Sequence, residues 1–224
     1  MTYTIKYYDG SIKKFKLLVG EDLSKSNFRG LDFRGVDMRG CNLRGADLFG
    51  AILTGAILEE ADLRECDLRE CDLRAADLSH SNLQKAFFWY TDLRGADLRN
   101  CNLRGISLKS SDLRGADLRS CDLRGAILRW SDLRSCNLRG ASLESSDLRG
   151  ADLRSCDLRG AILRGADLRS CNLRGAILRG ADLRNCDLRG AILESTDLRW
   201  ADLRDVFLKE TLFKDANLKD AELD

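Results

Sequence analysis

Apolar and polar positions along this chain recur with a period of five. From Leu23 to Leu223 every fifth residue is apolar, 36 Leu with Phe28, Phe33, Met38, Phe88 and Phe213, and no insertion breaks the register across 41 positions. Five matches neither the 3.6-residue period of a helix nor the 2.0 of a strand. The composition inside the unit resolves the mismatch. In Ala151-Asp152-Leu153-Arg154-Ser155 the residues fall in a small, an acidic, an axial and two corner positions. The small position holds 19 Ala, 9 Cys, 5 Ser and 3 Thr, and the acidic position is Asp or Asn in 29 of 41 units. Small and axial residues are two apart, so in extended chain they share one face and the acidic residue takes the other. This predicts a three-residue strand, in–out–in, followed by a two-residue corner. Glycine is common in the second corner position, where a type II turn requires positive φ.

A short strand and a corner make one side of a polygon. Four roughly right-angled corners close it, so a coil takes 20 residues and residue n should stack on n+20. Residues 21–224 then give about ten coils, spaced about 4.8 Å apart as parallel strands, in a rod about 50 Å long. Leucine fills the axis, and the small residues sit where facing walls approach. Exchanging the two would overfill the interior, which is destabilising.

The unit, repeated through residues 21–224, resembles the motif A(D/N)LXX of the pentapeptide repeat family. The resemblance implies an all-β fold, a right-handed quadrilateral parallel β-helix; the handedness comes from the family alone. It also offers a function, since some members protect a type II topoisomerase, DNA gyrase, by mimicking DNA. This sequence departs from those relatives in its balanced charge, and in lacking both a C-terminal helix and a loop protruding between coils.

Composition narrows the alternatives. Basic and acidic residues number 37 and 36, for a net charge of +1, so no bulk field attracts nucleic acid or anionic membrane. Direct nucleic-acid binding is not expected. Proline is absent, as suits a chain in which nearly every amide joins a ladder. No apolar run reaches the length of a membrane span, and the first residues lack a signal peptide's hydrophobic segment. A cytoplasmic protein is expected. All nine cysteines, Cys41, Cys66, Cys71, Cys101, Cys121, Cys136, Cys156, Cys171 and Cys186, occupy the small inward position. They read as packing residues, although Cys101/Cys121 and Cys136/Cys156 should stack closely enough that a disulfide is sterically conceivable. No cofactor and no metal site is expected.

The departures from the repeat carry what remains. Residues 1–20 are set apart as an N-terminal hairpin cap, with strands at 2–8 and 11–18 around Asp9-Gly10, a hairpin turn signal. A cap would protect the open end of a solenoid. Wider fillers, Phe28, Leu31, Phe33, Val36 and Met38, begin the rod, and His80, the single histidine, falls at an exposed corner. The largest departure is Ala86-Phe87-Phe88-Trp89-Tyr90, where Phe87, Trp89 and Tyr90 replace the usual Asp, Arg and Gly. Stacking by 20 brings Phe49, Ile127 and Trp130 onto the same side of the rod. Contiguous exposed apolar area marks interaction surfaces, so these six residues are the candidate partner-binding site. From residue 94 to 199 the repeated phrase is 15 residues long, three sides of four, so identical phrases precess around the rod. No Ser–His–Asp or Cys–His arrangement, phosphate loop or metal cluster occurs. The expectation is a non-enzymatic protein-interaction or scaffold module with an unidentified protein partner, monomeric or weakly dimeric end to end.

Overall fold

The protein is described here as a computed structural model covering residues 3–7, 12–15 and 18–223. From residue 22 onward a single rule generates the architecture. Each acidic-position residue forms a parallel bridge with the residue 20 further on, from Asp22↔Asn42 through Asp117↔Asn137 to Asp202↔Glu222. Four five-residue sides therefore make one turn, and the expected n to n+20 stacking is what the chain does. Each side contributes one bridging residue in place of the expected three-residue strand. The corners take the remainder of the unit.

In a unit with Asp or Asn at the acidic position all five amides are engaged, and each engagement explains one position of the motif. The axial N–H donates to the next coil, as Leu23 does to the Asn42 carbonyl at 2.8 Å, and the acidic-position N–H donates to the previous one, Asn42 to Glu21 at 3.0 Å. The second corner N–H also reaches the next coil, Gly20 to Arg39 at 2.8 Å. The small-position N–H closes the turn on the axial carbonyl three residues back, Leu31 to Phe28 at 3.0 Å. That leaves the first corner amide, which no backbone carbonyl reaches. The acidic side chain accepts it: the Arg34 N–H donates to Asp32 Oδ1 at 3.1 Å, and the Arg44 N–H to Asn42 Oδ1 at 3.1 Å. Asp and Asn both accept in such Asx turns, which is why both occur at this position.

Every fifth residue from 20 to 220 has φ between +53° and +72°. Positive φ in the third turn position only, with an i to i+3 hydrogen bond, is the type II pattern. Glycine adopts it freely, and elsewhere Ser, Asn, Asp and others accept the left-handed conformation at a cost of about 1 kcal/mol each. The ladder on both neighbouring coils holds them there.

The axial and small positions form one continuous core from Leu18 to Leu203. At the first coil Phe28 and Phe33 meet edge to face, with ring centroids 5.2 Å apart, and Val36 and Met38 are buried as expected. Leu31 differs: it is 41% exposed, although Leu23 and Phe28 of the same coil are buried. At the other end Phe207 and Leu212 are exposed, and Leu208, Phe213 and Leu218 only partly buried.

Before the first coil, β1 (Tyr3–Tyr7) pairs antiparallel with β2 (Ile12–Phe15) and, on its other edge, with β3 (Ser26–Asn27). The register joins Lys6 to Asn27 and Tyr7 to Ser26, so β1 lies along the first coil's edge. The Asp9-Gly10 turn falls outside the described residues. Among the described residues there is no helix, and therefore none long and apolar enough to cross a membrane.

Candidate protein-interaction face

One clamp recurs over much of the outward surface. The Asp that accepts the first corner amide also binds that residue's guanidinium. Arg74 sets Nε 2.8 Å from Asp72 Oδ1 and a terminal nitrogen 2.6 Å from Oδ2. The same fork recurs at Asp122–Arg124, Asp157–Arg159 and Asp187–Arg189. Bidentate pairing is the stronger form of this interaction. The Arg74 hydrogen bond, opposed by partial burial, holds the Asp72 carboxyl down at about 2. Coils are cross-linked as well, for example Arg184 to Asp202 at 3.2 Å. The clamps answer how like charges can stack: each Arg stripe lies against an Asp stripe to which it is bonded.

The side containing residues 86–90, 106–110 and 126–130 lacks this clamp. Its acidic positions hold Phe87, Ser107 and Ile127, bridged in sequence as Phe87↔Ser107↔Ile127. Phe87 is 46% exposed, Trp89 and Ile127 are 40% exposed, and Tyr90 and Trp130 are 64% exposed. The Trp89 indole N–H donates to the Ser107 hydroxyl, which lays the ring towards the following coil. Trp130 lies over Gly150: a Cβ built there would sit 2.3 Å from the indole, at a backbone φ of +66°. Five of the six candidate residues are thus exposed, three on the coil of Phe87 and two on the coil of Ile127, with Ser107 and Lys109 on the coil between. Phe49 stands apart. It is half-buried, with the Arg29 guanidinium 3.9 Å above its ring and Arg69 at 5.5 Å. The clamped pair Asp67–Arg69 occupies the intervening coil.

The contact between Trp130 and Gly150 is directly testable. Gly150→Ala should displace the indole and shift tryptophan emission. Gly160→Ala, where nothing lies within 4 Å of the added carbon at φ +62°, should leave emission unchanged. Each should lose about 1 kcal/mol through the strained backbone.

Two features escaped the sequence reading. The first is the Asx turn, whose signal was the interchange of Asp and Asn at one position. The second is Trp200, exposed and carrying the Arg179 guanidinium 4.1 Å from its ring centroid. Ile177 at the acidic position deprives Arg179 of its clamp, and stacking by 20 then points Arg179 to residues 199 and 200.

All nine cysteines are buried and free, so neither Cys101/Cys121 nor Cys136/Cys156 is a disulfide. Burial pushes the Cys66, Cys71, Cys171 and Cys186 thiols up to about 12, far from the thiolate form that reacts or binds metal. Their sulfurs lie against axial carbonyls 23 residues back, as Cys66 Sγ does 2.8 Å from the Leu43 oxygen. Thr91 and Thr211 hydroxyls use the same acceptor. His80 is exposed, 3.4 Å from the Asn100 amide. Among the described residues no group of His, Cys, Asp and Glu is placed to hold a metal ion.

A rod of square coils, leucine on the axis and alanine or cysteine beside it, is the architecture of a pentapeptide repeat protein. The family model for pentapeptide repeats matches eight copies over residues 18–55, 56–88, 91–129, 126–165, 166–205 and 191–224, and the chain belongs to that family. Among solved structures it is similar to HetL, a pentapeptide repeat protein involved in heterocyst differentiation regulation from the cyanobacterium Nostoc sp. strain PCC 7120. Identity is 33% over 92% of this chain and 90% of that one, with a TM-score of 0.68. A pentapeptide repeat protein from the Arabidopsis thaliana thylakoid lumen matches at 36% identity over 46% of this chain and 71% of its own, TM-score 0.45. QnrB1, a plasmid-mediated fluoroquinolone resistance protein, matches at 20% identity over 93% and 91%, TM-score 0.41. No curated protein matches the sequence.

Proposed function

We propose that this chain is a non-enzymatic interaction module, a rigid scaffold that docks a protein partner through Phe87, Trp89, Tyr90, Ile127 and Trp130. The observation that carries the reading is their grouping: five exposed apolar side chains on two coils with one between, on a side without the Asp–Arg clamps that recur over much of the rod. HetL, similar over nearly its whole length, is itself involved in regulation. In the same reading the rod is right-handed, has about ten coils, and β1 with β2 caps its first edge, leaving 21–224 as the solenoid. The nine free thiols fit a reducing compartment such as the cytoplasm. The topoisomerase alternative needs an acidic, DNA-like surface, and here the outward carboxylates are largely neutralised by their own arginines.

The test is affinity capture from lysate of the source cells with the native chain and a Trp89→Asp, Trp130→Asp variant. Both side chains point outward, so thermal melts of the two should agree within a few degrees. A partner held by the native chain should be lost from the variant. Equal retention of every partner by both would remove the proposed face.

A further inference from the structure

The aromatic side differs from the rest of the rod in charge as well as in apolar area. Across residues 86–90, 106–110 and 126–130 there is no carboxylate. Lys109, between Trp89 and Arg129 in the stack, has no ion pair among the described residues, and neither has Lys85 at the corner leading into this side. Arg129, lacking an Asp at 127, reaches to Asp147 of the next coil. Arg104, on the neighbouring side, keeps only a 3.8 Å contact with Asp122. Most acids that border the window are already engaged: Asp67 by Arg69 above, and Asp92, Asp112 and Asp132 by Arg94, Arg114 and Arg134 on the adjoining side; the exception is Glu70, exposed at the corner one coil before Tyr90. The window is therefore apolar with free cations in it, and what complements it is apolar with free carboxylates.

Spacing selects the form of that complement. The backbones of Tyr90 and Trp130 occupy equivalent corners two coils apart, about 9.6 Å along the rod, with Lys109 on the coil between at about half that rise, and the Trp130 indole leans onward over Gly150. An extended strand presents one face at steps of about 6.6 Å, which meets neither distance. A polyproline helix repeats a face every three residues, about 9.3 Å, but turns its intervening residues away. An α-helix lying along the rod places residues i and i+7 about 10.5 Å apart on one face, with i+3 and i+4 between them on that same face.

Resting on the interaction reading above, we infer that the window binds an acidic amphipathic helix of a partner protein, apolar at i and i+7 over the two aromatic corners and carboxylate-bearing at i+3 or i+4 over Lys109. Apolar anchors supply the contact area, and the carboxylate gains a cation with no competing internal partner. A helix carrying lysine at i+3 and i+4 would instead bury charge against charge.

The probe is a dye-labelled helical peptide of an Ala/Gln host with Leu at i and i+7 and Glu at i+3 and i+4, followed by fluorescence anisotropy at low salt. Binding is expected, weakened at least about tenfold by Lys109→Glu and clearly reduced by raised salt. It should be lost with Trp89→Ala, Trp130→Ala and left within about twofold by Lys214→Glu, which changes the same charge at a remote exposed site. The peptide with Lys for Glu should not bind. No binding by the Glu peptide, equal binding by the Lys peptide, or indifference to Lys109→Glu overturns the inference. Captured partners separate the two readings. A partner lost by Trp89→Asp, Trp130→Asp but retained by Lys109→Glu keeps the interaction face and removes the acidic helix, whereas retention by both variants removes both.

Discussion

Leu118→Ala should cost the rod about 3 kcal/mol, the middle of the range for buried leucine truncation, seen as a lowered midpoint in urea. Leu118 is an axial residue in the middle of the stack and is buried, as are Leu98 above it and Leu138 below. Its amide donates to the Asn137 carbonyl at 2.7 Å, and its own carbonyl closes the turn with Cys121 at 3.3 Å. Backbone bonded to both neighbouring coils cannot collapse to fill a missing isobutyl group, so the cavity should persist and the loss should lie above the transfer term alone. The same change at Leu218, only partly buried in the last described coil, should cost about 1 kcal/mol or less, because little apolar area is withdrawn from water there. The contrast between the two sites is the decisive reading. Equal losses would mean that the axial position is not the packing centre of the rod. Widening the small position should also destabilise: Ala116→Leu adds three carbons where Ala116 is wholly buried, and overpacking costs about 1–3 kcal/mol.

The fold was legible because the period of the sequence is the period of the structure. Once small and axial residues must both face inward, the chain has to turn every five residues, and closure at 20 follows from square corners. What the sequence misjudged were local details set by hydrogen bonding. A three-residue strand was expected per side, and the turn consumes enough of each unit that a single residue bridges. The acidic residue was taken as surface charge, although Asp32 Oδ1 is bonded to the Arg34 amide that nothing else satisfies. Leu31 was expected inside and is exposed, although Leu23 and Phe28 of its coil are buried.

The candidate face was legible in part for the same reason. Stacking by 20 correctly placed Phe87, Trp89, Tyr90, Ile127 and Trp130 on one side, and it also placed Phe49 there. Register fixes which column a residue joins, but not which neighbour shelters it. Arg29 over the Phe49 ring depends on side-chain conformation, and so does the lean of Trp130 over Gly150. The charge character of the window needed the clamps to be seen first, since Lys109 stands out only where nearly every arginine is already held.

Acid should unfold the rod over a narrow window, and salt should act in opposite directions on its two sides. Arginine hydrogen bonds lower the carboxyls of Asp62, Asp72, Asp122, Asp157, Asp182, Asp187, Asp197 and Asp202 below their ordinary value, partial burial opposing. A depressed carboxyl favours the folded state wherever the unfolded chain would be deprotonated. That stability is therefore fully present above about pH 4 and is lost as pH falls through the folded values, about 2 for Asp72. Protonation also strips the counter-charge from stacked arginines such as Arg74, Arg94, Arg114, Arg134, Arg154 and Arg174, which follow one another on successive coils about 4.8 Å apart. Thermal melts should therefore hold nearly level from about pH 8 to 5 and fall steeply below about pH 4. At pH 7, adding about 0.5 M salt screens the Asp–Arg attractions and should lower the melting temperature slightly; near pH 2.5 the same salt screens Arg–Arg repulsion and should raise it. Asp72→Asn separates the two duties of the side chain. Asn keeps an acceptor for the Arg74 amide, 3.2 Å from Asp72 Oδ1, and gives up the proton-sensitive bridge. At neutral pH the variant should be less stable by no more than about 1 kcal/mol, and the gap from the native chain should close as pH drops below about 3. A melting temperature indifferent to pH between 5 and 2 would show that the clamps decorate the surface without supporting the fold.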